Sequence, residues 1–220
     1  MTDGRTSAAA PDAGLAGRFT ALLGEAPGAA ALAAGLLRRW AEPQRHYHTT
    51  GHLRAVLGHL DEAGLRGHAA DPAAVALAAW FHDAVYDPAA TGTADEEESA
   101  RLAERTLPGA GAGPELTAEV ARLVRLTADH DPATGDTNGE ALCDADLAVL
   151  GYPPEEYAAY TAAVRREYGF VPPEAFRAGR AEVLRRLLSH PRLYRTPHAV
   201  RHWEPTARYN LTAELELLTR

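Results

Sequence analysis

The sequence predicts an all-α protein with a helical bundle of about eight to ten helices. Three observations predict this class. Alanine, which has the highest helix propensity, makes up much of the hydrophobic share of 46%. Apolar residues recur at spacings of three and four along most of the chain, as they do on one face of a helix. No segment shows the sustained alternation of apolar and polar residues that indicates a strand.

The N-terminal part begins with small and polar residues. Residues 1–14 are expected to form a disordered tail, which leaves residues 15–220 as a single domain. Helical spacing over 15–40 is interrupted at GEAPG, so that we expect two short helices or one broken helix. The next helix is expected over 49–64, with Gly64 as its C-cap.

The segment 71–87 predicts a buried helix, because its interior is apolar on nearly all sides. Asp71 is the expected N-cap, and Pro72 would occupy the first helical position. Apolar residues at spacings of three and four predict a helix over 113–130. The remaining expected helices cover 94–107, 140–151, 153–169, 173–189 and 205–219.

Composition and charge exclude several function classes. A net charge of -8 argues against a nucleic-acid polymer as partner. All 22 basic residues are arginine, which excludes a lysine Schiff base and a Walker-type phosphate loop. The single Cys143 excludes an internal disulfide and a cysteine-rich zinc site. No apolar run approaches the ~18 residues of a membrane span, and no secretory signal is present, so we expect a cytoplasmic protein.

Histidine and aspartate cluster beside the most apolar segments. RHYHTTGH at 45–52 contains His48 and His52, which share one face if a helix begins there. AAWFHDAVYD at 78–87 contains an adjacent His-Asp pair, and CDADLAVL contains two further aspartates. Imidazole combined with carboxylate suits a divalent first-row metal. The alternative for each residue is a structural role, in which backbone groups satisfy a helix-terminal side chain.

The order H…HD…D, carried by His52, His82-Asp83 and Asp146, resembles the HD superfamily of metal-dependent phosphohydrolases. YHTTGH at 47–52 is also similar to the Y-H-N-x-x-H motif of cyclic-nucleotide phosphodiesterases. Segments from about residue 40 to 215 resemble the predicted HD-superfamily phosphohydrolases of bacteria. These segments are RHYHTTGHL, AAWFHDAVYD, EEESA, DADLAVLG, VRREY, FRAGRAEVLRRLL, RLYRT and ARYNL.

The resemblance implies an HD-domain bundle with a metal held by His52, His82, Asp83 and Asp146. Asp146 is preferred to Asp144 because the family's last motif reads Ala-Asp followed by Arg or Leu. Asp144 would then be structural, and it remains the alternative ligand. The ligand set accepts Mn, Fe, Co, Ni or Zn, with Mg as a further candidate, and leaves open whether one or two metals bind.

The resemblance also implies catalytic roles. His48 matches a histidine that protonates a leaving oxygen, and Asp146 could accept the proton of the attacking water. Glu96 or Glu97 could orient that water, although an acidic helix N-terminus is the stronger interpretation of both. His130 matches a histidine that supports a second metal or the phosphate in some HD proteins. Its alternative is a solvent-facing loop residue.

Arginine must supply any phosphate contact from a basic side chain, because Ala128 stands where family members tend to have a lysine. Arg45, beside the histidines, and Arg180, in FRAGR, are the candidates, since guanidinium suits bidentate phosphate binding. Most other arginines are expected to be solvated or to pair with glutamates, as Arg166 with Glu167.

The sequence therefore predicts a hydrolase that cleaves a small phosphate ester, such as a nucleotide or a phosphorylated metabolite, with a metal-activated water. Two alternatives remain: a non-catalytic metal or nucleotide sensor, and a di-iron oxygenase on the same scaffold. Serine and cysteine nucleophiles have little support, because no serine lies in a G-x-S-x-G motif. A helical surface of this kind could also pair into a homodimer.

Overall fold

A computed structural model describes residues 13–90 and 92–220. Over these residues it contains twelve α-helices and no strand, so the predicted all-α class is confirmed. The helices are α1 (Ala13–Leu22), α2 (Ala29–Trp40), α3 (Thr50–Asp61), α4 (Ala63–Arg66), α5 (Pro72–Phe81), α6 (Ala94–Thr106), α7 (Pro114–Leu126), α8 (Thr137–Asp146), α9 (Pro154–Glu167), α10 (Pro173–Ser189), α11 (Pro197–His202) and α12 (Glu204–Leu218). Most of the predicted tail, residues 1–12, lies outside the described residues, whereas Ala13 and Gly14 already belong to α1.

The helix predicted over 49–64 is two helices, and the assignment of Gly64 as its C-cap is wrong. Glu62 adopts an extended conformation between α3 and α4. Its carboxylate accepts hydrogen bonds from His59 at 2.7 Å and from His198 at 2.8 Å. Gly64 lies inside α4, where a Cβ atom would come within 2.4 Å of the His198 ring. Close packing of α4 against α11 therefore explains this glycine.

The beginning of α5 agrees with its prediction. The Asp71 side chain accepts hydrogen bonds from the backbone N–H groups of Ala73 and Ala74, and Pro72 is the first helical residue. These contacts satisfy donors that have no partner within the helix. Seven of the helix's residues are buried, as the apolar pattern predicted.

The Asp71 cap gives a direct stability prediction. Asp71→Ala should lower the free energy of unfolding by about 1 kcal/mol, because two N–H groups lose their acceptor. Thr93→Ala is the control, since Thr93 precedes α6 without forming a side-chain cap. Urea denaturation of both variants measures the difference. Equal losses of stability would show that the Asp71 contacts contribute nothing specific.

The end of α5 differs from its prediction, because the helix stops at Phe81 and residues 82–85 form a turn and a bend. The carbonyl oxygens of Asp83 and Ala84 accept from the Arg45 guanidinium instead of from helical amides. Val85 exchanges backbone hydrogen bonds with the buried Ser99 hydroxyl of α6. These tertiary contacts hold the His82-Asp83 segment outside the helix.

The hydrophobic core places three helix termini together. One cluster of buried side chains includes members from Leu15 to Leu211. Within it, α5 packs against α3, α7 and α8, and α3 also packs against α8. The start of α3 and the ends of α5 and α8 consequently meet, and each carries candidate metal ligands. In the described part of the chain, no helix combines the length and the apolar character needed to cross a membrane.

Candidate metal centre

The four predicted metal ligands converge where these three termini meet. His52 lies in the first turn of α3, His82 and Asp83 follow α5, and Asp146 ends α8. The Nε2 atoms of His52 and His82 are 3.3 Å apart. Asp146 Oδ1 lies 2.9 Å from His52 Nε2 and 3.4 Å from His82 Nε2. Asp83 Oδ2 lies 3.1 Å from His82 Nε2 and 3.9 Å from His52 Nε2.

The hydrogen bonding of His82 makes it suitable as a metal ligand. Its Nδ1 lies 2.9 Å from the carbonyl oxygen of Ala79, and a carbonyl can only accept, so Nδ1 carries a proton. In the neutral ring, Nε2 then presents a lone pair toward two carboxylate oxygens and a second imidazole. These lone pairs and carboxylate oxygens repel one another unless a proton or a cation occupies the space between them. A divalent metal fits this donor set, since ligand histidines usually donate their other N–H to a carbonyl or carboxylate.

The close contact of these buried groups shifts their pKa values. Burial opposes the imidazolium form of His82, yet the carboxylates of Asp83 and Asp146 raise the pKa of His82 well above its ordinary value. Burial keeps the pKa of His52 below its ordinary value, despite the contact with Asp146. Burial also opposes ionisation of the two aspartates, but His82 and neighbouring histidines lower the pKa of each carboxyl. Both carboxylates are therefore ionised near neutral pH, as metal binding requires.

Trp40 positions both imidazoles from the core side. Its ring centroid lies 6.1 Å from that of His52 and 5.4 Å from that of His82. Its indole N–H donates to the Trp80 carbonyl oxygen at 3.0 Å, which fixes the ring against α5. Both imidazole rings consequently pack against the same rigid apolar side chain.

Arg45 connects the two ligand segments. Its Nη1 donates to the carbonyl oxygens of His48 and Asp83 at 3.1 and 2.8 Å. Its Nη2 donates to Ala84 and to Glu42, and its Nε also donates to Glu42. The side chain is fully buried, and all of its N–H donors are engaged. Arg45 thus positions the ligand segments, while its phosphate-binding role stays a prediction.

His48 lies beside the ligands and is oriented by a buried carboxylate. Its Nδ1 donates to Glu167 Oε2 at 2.8 Å, and the Tyr86 hydroxyl donates to the same oxygen at 3.0 Å. The other oxygen, Oε1, accepts from the backbone N–H groups of residues 46–48. Burial opposes protonation of His48, but Asp83 and Glu167 raise its pKa above the ordinary value. The Glu167 contact leaves His48 Nε2 free for chemistry.

An acidic cavity of about 250 Å³ opens beside the cluster. Its acidic and histidine lining residues are His48, Asp83, Asp87, Asp95, Glu96, His130 and Asp146. Glu96 Oε2 is buried without a hydrogen-bond partner, and burial raises the pKa of this carboxyl. His130, at a positive φ of 51°, places Nε2 2.8 Å from Asp146 Oδ2. The alternative of a solvent-facing His130 is therefore wrong, and Asp146 contacts three histidines.

No protein-family model, no curated protein and no solved structure matches this chain. The chemistry of the site must therefore be read from its own geometry.

Asp144 has a different environment from Asp146, although both belong to α8. Its carboxylate accepts from the backbone N–H groups of Arg195 and Thr196 at distances between 2.7 and 3.1 Å. Burial raises the pKa of Asp144 to about 6 despite these bonds. Asp144 thus anchors the segment that precedes α11, which supports Asp146 as the ligand.

Arg180 is not among the described residues that line the acidic cavity. Its Nε and Nη2 donate to both oxygens of Glu214 at 2.8 and 3.0 Å, and its Nη1 donates to the Tyr160 hydroxyl at 3.3 Å. The guanidinium is thus bound bidentately by an internal carboxylate, and its contact with a phosphate stays a prediction.

Sequence reasoning missed Glu167 as a site residue. The expected pairing of Glu167 with Arg166 is wrong, because Glu167 points inward to His48 while Arg166 is exposed. A signal was present, since Glu167 lies three and four positions after Val164 and Ala163, on the buried face of α9. An acidic residue on an apolar face requires internal donors, but the sequence does not say which.

Proposed function

We propose that this protein is a metal-dependent phosphohydrolase that cleaves a small phosphate ester. The observation that carries the proposal is the convergence of two imidazole Nε2 atoms, 3.3 Å apart, with the carboxylates of Asp83 and Asp146 beside an acidic cavity. The similarity of H…HD…D to the HD superfamily supports it and suggests a nucleotide or phosphorylated metabolite as substrate.

His52, His82, Asp83 and Asp146 would hold the metal, since their donor atoms already face one another. When bound, a divalent metal lowers the pKa of water and offsets charge on a phosphoryl oxygen. The combination of imidazole and carboxylate suits Mn, Fe, Co, Ni or Zn better than Mg.

The protein's own residues would move the protons. Among the described residues, no donor contacts the buried Glu96 Oε2. Asp146, whose Oδ2 contacts His130, lines the same cavity, so either carboxylate could accept a proton from the attacking water. His48 holds its Nδ1 proton against Glu167 and can donate a proton from Nε2 to the leaving oxygen. Its raised pKa favours the protonated form that this role requires.

The test begins with elemental analysis of protein purified without chelator and without a histidine tag. The same samples are assayed on p-nitrophenyl phosphate, bis-p-nitrophenyl phosphate and a nucleotide panel, with wild type beside Asp83→Ala. We expect near-stoichiometric transition metal and ester hydrolysis in wild type, and loss of both in the variant. Circular dichroism of the variant checks that the helical fold remains.

Other outcomes would contradict the proposal. Bound metal with no turnover on any ester would favour a sensor. Absence of metal after reconstitution with Mn, Fe and Zn would assign the histidines a structural role.

A further inference from the structure

A second cavity, of about 380 Å³, reaches the four proposed metal ligands, which together form the metal cluster, from a different side. His52 and Asp146 belong to its wall, and Asp146 is the residue that it shares with the acidic cavity. Its volume lies within the range that binds small organic molecules. Two cavities of different chemistry therefore border the same carboxylate.

The lining of this second cavity is mainly apolar and aromatic. Tyr47, Tyr152 and Tyr160 contribute rings, and Ala55, Ala159 and Ala163 leave open space because their side chains are small. Tyr47 packs against the ligand His52, with ring centroids 4.8 Å apart, and against Tyr160 at 4.6 Å. The aromatic wall is thus continuous with the metal ligands. Aromatic faces of this kind prefer planar ring partners.

The hydroxyl groups of Tyr152 and Tyr160 in this cavity are held in place. The Tyr160 hydroxyl accepts from Arg180, which leaves its own proton for a second partner. The Tyr152 hydroxyl lies 2.7 Å from His59 Nε2, and His59 Nδ1 donates to Glu62. Fixed hydroxyl groups in an apolar wall select the orientation of a ligand and do not attract a charged one.

The charge of both cavities limits how much negative charge a ligand can carry. None of the described residues that line either cavity is an arginine, and the chain has no lysine. A polyphosphate would therefore find no fixed cation beyond the metal cluster and would face several carboxylates. A single phosphoryl group joined to an uncharged organic group avoids this repulsion.

We propose that the 380 Å³ cavity binds the organic group of the substrate, and that this group is an uncharged planar ring. The phosphoryl group then lies at the metal cluster, and the ring lies against Tyr47 and Tyr160. This inference rests on the proposed function for the identity of the phosphoryl group. Arg180 contributes indirectly, as a positioning residue for Tyr160.

The test uses binding, so that it does not depend on turnover. Calorimetry of the Mn²⁺-loaded protein compares 1-naphthylphosphonate with methylphosphonate, which share the phosphonate and differ in the ring. We expect the naphthyl compound to bind at least about tenfold more tightly, since a single methylene in an apolar pocket is worth that much. Ala159→Phe should remove this preference by filling the cavity. Ala158→Phe is the matched control, because Ala158 is an exposed neighbour on α9 that does not line the cavity.

Each outcome decides one of the two proposals. A preference that survives in Ala159→Phe, or no preference in wild type, would overturn the ring site. A preference lost in Ala159→Phe and kept in Ala158→Phe would establish it, even if no ester is hydrolysed. In that last case the ring site stands and the phosphohydrolase proposal fails.

Discussion

Asp146→Asn is expected to abolish stoichiometric metal binding, whereas Asp144→Asn should retain it. Asp146 Oδ1 contacts the Nε2 atoms of both ligand histidines, while the Asp144 carboxylate accepts from backbone N–H groups near α11. We expect metal affinity to fall more than about 100-fold in Asp146→Asn, because loss of a residue that merely orients a ligand already costs 10–100-fold. Metal titration followed by calorimetry measures both variants.

Metal-linked stability provides a second measurement on the same proteins. At a free metal concentration 100 times its dissociation constant, wild type should gain about 2.7 kcal/mol of stability over the chelator-treated protein. Asp146→Asn should show no such gain. Asp144→Asn should keep the gain, because the Asp144 carboxylate accepts from Arg195 and Thr196 and its amide oxygen can still do so. The reverse pattern would assign the metal to Asp144.

Local signals explain why most helices could be predicted from the sequence. Asp71 caps α5 and Pro72 begins it, and both effects act within one helical turn. The predicted end of that helix failed because Arg45, which lies 38 residues before Asp83, takes its carbonyl oxygen. The prediction of Gly64 as a C-cap failed for a similar reason, because the His198 ring that packs against Gly64 is distant in sequence. Long-range contacts, which no local pattern contains, set these boundaries.

The residues of the candidate site also fall into those that the sequence could identify and those that it could not. His52, His82, Asp83 and Asp146 could be selected from the sequence because their order resembles a known motif, and the structure brings all four together. The residue that orients His48 could not be selected, because Glu167 is 119 positions away. Sequence motifs identify the candidate ligands and catalytic residues. The residues that orient them are brought close by helix packing, which the motifs do not contain.

Glu167→Gln is expected to change the pH dependence of catalysis without removing the metal. The amide oxygen can still accept from the backbone of residues 46–48, but the amide nitrogen would now face His48 Nδ1 and must donate to it. That bond opposes the imidazolium and lowers the pKa of His48. The pH above which activity falls should therefore move to lower pH, with roughly a tenfold or greater loss at pH 8. Initial rates from pH 5 to 9 measure this shift.

Metal content and kinetics separate this role from a structural one. Elemental analysis should find the same metal content in Glu167→Gln and wild type. The loss should appear in kcat, since Glu167 acts through His48 and does not line either cavity. Glu155→Gln, an exposed change on the same helix, should leave the pH profile unaltered. An unshifted profile in Glu167→Gln would exclude proton transfer by His48.

The same variant tests the acid stability of the fold. Burial opposes ionisation of Glu167, but the bonds from His48 and from the backbone lower the pKa of this carboxyl to about 2. Because the pKa is lower in the folded state than in the unfolded chain, Glu167 stabilises the fold above its ordinary value of 4.5, and this contribution is lost as the pH falls toward 2. Wild type should exceed Glu167→Gln by about 2 kcal/mol at pH 7, and the two should converge near pH 2. Urea denaturation at both pH values measures the difference, and a constant gap would show that Glu167 is not ionised in the folded protein.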